Sequence, residues 1–157
     1  MRYYLRKGVD QSPSDSAQHW MAEERKLKLD VIDGYRQFKT RVDTICHDLV
    51  ATLKRFQSQG ERVAGYGATS KSTTLLNYAK IGPDLVEYIS DTTPNKIGKF
   101  TPGTPIPIKS YDDFKKDHIN VVLLFAWNHK KEIFEKEQMF RKSGGKFITY
   151  FPKVTIE

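Results

Sequence analysis

From residue 62 onward, short apolar runs of strand length alternate with segments whose apolar residues recur every three or four positions. This alternation restricts the possible folds more than any other feature of the chain. The runs fall at residues 62–66, 85–90, 120–126 and 146–151. The helical stretches fall at 70–80, from 110 onward, and at 130–142, where Gly144 and Gly145 close the last one. Strand, helix and strand in succession build a parallel sheet with right-handed crossovers and helices on both faces. The expected fold is α/β, a Rossmann-like parallel sheet with flanking helices over residues 62–157.

Residues 1–61 read as a strand and helical extension packing on that domain. Ser12, Pro13, Ser14 and Asp15 supply helix-start chemistry ahead of Trp20, Met21, Leu27 and Leu29. A longer helix follows, starting at Asp33 and stopping at Gly60. Its residues Tyr35, Phe38, Val42, Ile45, Leu49, Leu53 and Phe56 form one apolar stripe. The stripe could seam a dimeric coiled coil and so make an interaction module, but its length suits packing against the domain. The opposite face mixes Arg36, Lys39, Arg41, Lys54 and Arg55 with Asp43 and Asp48, as a solvated face does and a nucleic-acid surface does not. Residues 2–6 alternate like a strand already under way, as at a start inside a longer protein.

The 157 residues suit one such domain plus helices. The single cysteine, Cys46, rules out an intramolecular disulfide and a cysteine-cluster metal site, and it points to a reducing, cytoplasmic setting. His19, His47, His118 and His129 lack metal-ligand spacing, and no Ser/His/Asp or paired-carboxylate constellation emerges, so neither a metal nor a catalytic group is expected. The apolar run at 121–127 is far below the ~20 residues of a membrane span, and the N-terminus has no signal-peptide core. Net charge is +7, with 15 of the 26 basic residues and 10 of the 19 acidic ones beyond residue 61, which favours an anionic partner.

Ligands of open parallel sheets bind beyond the carboxyl ends of the strands. The first such end here reads Gly65, Tyr66, Gly67, Ala68, Thr69, Ser70, Lys71, Ser72, Thr73. Two glycines permit a tight turn and close backbone approach, Thr69 or Ser70 can cap the helix, and the helix start offers free N–H groups. Lys71 is a cation in the first helical turn, where the dipole disfavours it by ~0.3–1 kcal/mol unless an anion is present. No acid lies between Glu61 and Asp84, whereas Arg62, Lys71 and Lys80 do, so sequence neighbours leave this field uncompensated. A tight turn with a solvated lysine is the plainer reading. Both G-x-G-x-x-G and G-x-x-x-x-G-K-[ST] fail at Ser70. Asp91, 24 residues after Gly67, sits where dinucleotide folds keep a ribose-binding acid, or where a turn needs a cap. Lys96 and Lys99 lie in a turn-rich loop with Pro102, Gly103 and Thr104. Trp127 could stack on a base or sugar, or simply pack, and Asn128 beside it could donate to the ligand.

Taken together, residues 65–78, Ile81 to Leu85, Asp91 to Gly98, Pro102 to Pro107 and Trp127-Asn128 resemble, in order and spacing, the C-terminal domain of S-adenosylmethionine-dependent sugar C-methyltransferases. The resemblance covers nearly the whole chain. It implies a protein of three parts: a zinc-binding N-terminal domain, a central domain that binds S-adenosylmethionine and supplies the base, and this Rossmann-like domain, which helps hold a nucleotide-linked sugar. Gly65, Tyr66, Gly67, Ala68, Ser70, Lys71, Ser72, Thr73, Asp91, Lys96, Trp127 and Asn128 would then form the substrate side, with Lys71 at the phosphates. Ser72 stands where the family usually has glycine, and Thr69-Ser70 depart from its commonest choices. The expected partners are the sugar nucleotide and the central domain, with no nucleic acid and no membrane, and the chain alone is expected to be inactive in methyl transfer. A free-standing nucleotide- or NAD(P)-binding protein is the alternative.

Overall fold

The computed structural model describes residues 7–8 and 12–157; the strand expected at residues 2–6 lies outside them. The chain divides into two compact units, Met1–Arg41 and Val42–Glu157. In the first, Ser14 caps helix α1 (Asp15–Lys26) by accepting the Ala17 N–H at 3.3 Å. Helix α2 (Ile32–Ser58) begins in this unit and continues into the second. It ends two residues short of Gly60, where the sequence puts its stop.

The second unit holds a six-stranded sheet. Its strands are β1 (Val63–Tyr66), β2 (Ile89–Asp91), β3 (Ile108–Ser110), β4 (Val121–Leu124), β5 (Lys146–Thr149) and β6 (Thr155–Ile156), in the order β3-β2-β1-β4-β5-β6. The first five run parallel to one another and β6 runs antiparallel to β5. The helices are α3 (Ser70–Ala79), α4 (Tyr111–Lys116), α5 (Lys130–Lys136) and α6 (Gln138–Lys142). The expected Rossmann-like α/β class is the observed one.

Strand residues alternate between two apolar clusters, as a pleated sheet buried on both faces requires. One face sets Val63, Ile89, Val121, Leu123 and Ile148 against Leu49, Leu53 and Phe56 of α2 and Leu76 of α3. The other sets Ala64, Tyr88, Val122, Leu124 and Phe147 against Phe114 of α4, with Ile133, Phe134 and Phe140 of α5 and α6 at its margin. All four β4 side chains are fully buried, a contribution of ~1.5–3 kcal/mol for each large one. Of the stripe on α2, Leu49, Leu53 and Phe56 join this core, whereas Tyr35 and Phe38 are more than half exposed.

Several element boundaries differ from those expected. Leu85 and Val86 are buried, but in a turn whose N–H groups both reach the Gly82 carbonyl, so β2 starts only at Ile89. Residues 130–142 form two helices instead of one, broken at Glu137. Strands β3 and β6, of three and two residues, carry too short a pattern to be read from sequence. Arg62 is compensated after all: its guanidinium contacts Glu87 and Asp117, each at 2.6 Å. Both partners are distant in sequence and come together at the amino ends of the strands. Among the described residues no helix is long and apolar enough to cross a membrane.

Candidate functional site

The carboxyl end of β1 runs directly into α3. Gly65 lies inside the strand, where a Cβ would come within 2.6 Å of the Phe125 ring and 2.9 Å of Ile89. Its role is to let the core close over β1. Gly67, at φ +89°, occupies the left-handed region open to glycine and turns the chain toward the helix. Thr69 is the N-cap: its Oγ1 accepts the Ser72 N–H at 3.2 Å while Ser72 Oγ accepts the Thr69 N–H at 3.0 Å. This reciprocal capping box accounts for Ser72, which is buried. Ser70 and Lys71 are left as the first two helical residues. Their N–H groups have no hydrogen-bond partner among the described residues, and the first turn of α3 carries no acid.

Asp91 lies beneath this turn, at the end of β2 and 9% exposed. Its Oδ2 accepts the Ala68 N–H at 2.7 Å and its Oδ1 the Thr93 N–H at 2.8 Å. Lys96 Nζ donates to the Ala68 carbonyl at 2.6 Å and sits 3.4 Å from Asp91 Oδ2. Ala68 is therefore clamped on both sides. Burial disfavours the Asp91 carboxylate, but the hydrogen bonds from Thr93 and Ala68 and the charge of Lys96 outweigh it and hold the carboxyl below its usual range. Beside this clamp a hollow of about 290 Å³ opens between the first turn of α3, including Ser70 and Thr73, and the loop bearing Lys96 and Lys99.

Lys71 Nζ donates to Asn128 Oδ1 at 2.8 Å and stands 5.7 Å from the Trp127 ring centre. Asn128 is a neutral partner, and Lys71 makes no ion pair among the described residues. Trp127 lies in a 3₁₀ turn, Trp127–His129, stacked on Phe151 with ring centres 4.6 Å apart. Tyr66 points to the opposite face of the sheet, where its hydroxyl donates to Glu137 at 2.7 Å. Burial and this carboxylate raise the Tyr66 hydroxyl far above its ordinary value.

Gly67, Ala68, Ser70, Lys71, Thr73, Asp91, Lys96, Trp127 and Asn128 are thus gathered along the carboxyl edge, while Gly65 and Ser72 serve the interior. The sequence reading left out Glu137, Lys136, Tyr111 and Ser90, which gather on the Tyr66 side of the strand ends. A signal was available for one of them, since Glu137 continues the Ile133, Phe134, Phe140 periodicity as a charge at a core-facing position.

Residues 1–152 match the model of a family described as the C-methyltransferase C-terminal domain. C-methyltransferase NovU of Streptomyces niveus is 33% identical over 136 residues, which is 87% of this chain and 32% of that protein, so the chain spans about a third of its relative's length. The family match and the agreement over most of the chain make this protein a member of the C-methyltransferase C-terminal domain family.

Proposed function

We propose that this chain is the substrate-binding C-terminal domain of an S-adenosylmethionine-dependent C-methyltransferase acting on a nucleotide-linked sugar. The observation that carries the reading is Lys71. It is a cation at a helix N-terminus with a neutral side-chain partner, next to two free N–H groups and the Gly67 turn. A diphosphate answers all three needs at once, through charge, hydrogen bonding and the dipole. Asp91 and Lys96 keep the loop in shape for it, and Asn128 holds the lysine in place.

The residues of this chain do not fit S-adenosylmethionine itself. Lys71 and Lys96 at the rim oppose a sulfonium cation, and both Asp91 oxygens already accept backbone N–H groups. In the proposed reading the methyl donor and the catalytic base belong to a central domain of the same polypeptide, and this chain binds and orients the acceptor. The same engagement of Asp91 weighs against an NAD(P)-binding protein, which needs that acid for ribose.

Titration of the chain with a nucleoside diphosphate sugar should shift the amide NMR signals of residues 67–73, and NAD should not. Lys71→Ala should weaken the sugar nucleotide about tenfold or more, the worth of one charge-assisted contact. Unchanged affinity would remove Lys71 from the site. Methyl transfer from labelled S-adenosylmethionine by the chain alone would overturn the assignment of catalysis to another domain.

A further inference from the structure

On the sheet face opposite α3, a second opening lies at the same strand ends. It is a cleft of about 240 Å³ whose lining includes Gly67, Ser90, Thr92, Glu132, Ile133 and Lys136. Its wall is braced from behind. Glu137 is 5% exposed and accepts the Tyr66 hydroxyl. Lys136 Nζ donates to the Tyr66 oxygen at 3.2 Å and rests 3.5 Å from the centre of the Tyr111 ring. A lysine seated on a ring and tethered to a phenol is presented in one place.

Ser90 points the same way. On this face it stands beside Tyr66, its register partner on β1, and two residues from Tyr88, at the edge of an apolar and aromatic surface. Ser90 is 2% exposed, and its hydroxyl, which makes no hydrogen bond to another described residue, keeps its access to the cleft; the sealed hydroxyl without a partner among the described residues is that of Tyr88. Hydroxyls at that depth are normally satisfied. The cleft is the opening that Ser90 lines, so whatever occupies the cleft completes that hydroxyl.

We propose that this cleft binds a sugar ring, the hydroxyl-rich five- or six-membered ring of the ligand whose phosphates rest on the first turn of α3. This rests on the reading of the α3 turn given above. Gly67 lines the cleft and also forms the turn into α3, so one ligand laid across the strand ends reaches both. The lining offers what a neutral polyol needs: donors at Lys136, acceptors at Glu132, groups that do both at Ser90 and Thr92, and aliphatic Ile133 for the ring C–H groups. An inorganic anion would meet the Glu132 carboxylate. A nucleobase would need a flat ring face, and Lys136 already covers that of Tyr111.

Two rings meet this description, that of the nucleoside and that of the sugar attached to the diphosphate, and amide NMR of this chain with three probes distinguishes them. Sodium pyrophosphate should shift residues 67–73 alone. Ribose 5-phosphate or glucose 1-phosphate should shift the same residues and also Thr92, Ile133 and Lys136, and the probe that does so identifies the ring. Ser90→Ala should weaken that sugar phosphate about fivefold, one neutral hydrogen bond, and leave pyrophosphate affinity unchanged, which also shows that the variant is folded. Sugar phosphates that reproduce the pyrophosphate pattern and affinity would overturn the ring site and leave the phosphate reading intact. Silence to all three probes would overturn both.

Discussion

Asp91 shows how far a single residue can be read. Its distance from Gly67 suits a ribose-binding acid and suits a turn equally well, because spacing along the chain does not say what the carboxylate faces. In the fold both of its oxygens accept backbone N–H groups, from Ala68 and Thr93. Asp91 then braces the turn before α3, and its charge has a stability consequence. The folded carboxyl titrates below its usual range. Its contribution is therefore complete above the unfolded value of about 3.9 and is lost as pH falls through the lower folded value. Asp91→Asn should cost about 1–3 kcal/mol at pH 7 in urea denaturation, and the gap from the parent chain should narrow below about pH 4. A gap that stays constant down to pH 2.5 would show that the charge is not what braces the loop. Arg62 teaches the same lesson from the basic side: residues near it in sequence leave it unpaired, but Glu87 and Asp117 pair with it across the sheet.

Among the elements, α3 was legible almost to the residue. Its signals are local: Thr69 and Ser72 three apart, and the glycine turn before them. Ser72 has a structural role there, since its hydroxyl closes the capping box. Ser72→Gly should lower stability by about 1 kcal/mol in thermal or urea unfolding while α3 still forms. No loss would mean that the reciprocal hydrogen bonds contribute nothing net. The sequence makes the helix at 130–142 continuous because periodicity registers apolar positions and passes over a buried acid. Glu137 breaks it there, within reach of Tyr66 on β1, a partner 71 residues away. The sequence starts strand β2 too early for a related reason. Burial makes Leu85 and Val86 apolar, and a buried turn needs apolar residues as much as a strand does.

At the scale of the molecule, the apolar stripe of α2 divides. Leu53 is fully buried in the cluster between helix and sheet, and Phe38, on the same stripe, is 59% exposed. Leu53→Ala should cost about 2–5 kcal/mol, and Phe38→Ala should stay within about 0.5 kcal/mol, both by urea denaturation of the chain. Equal losses would mean that the whole stripe is core. The sequence by itself determined the α/β class and the helix that carries Lys71, because periodicity, capping and turn residues act over a few neighbouring positions. Tertiary structure alone decided the sheet order, the clamp of Asp91 and Lys96 on Ala68, the engagement of Lys71 with Asn128, and the cleft before Ser90 and Lys136. Each of these joins groups on different strands and helices. Such pairings depend on which elements the sheet sets side by side, and no local pattern carries that information.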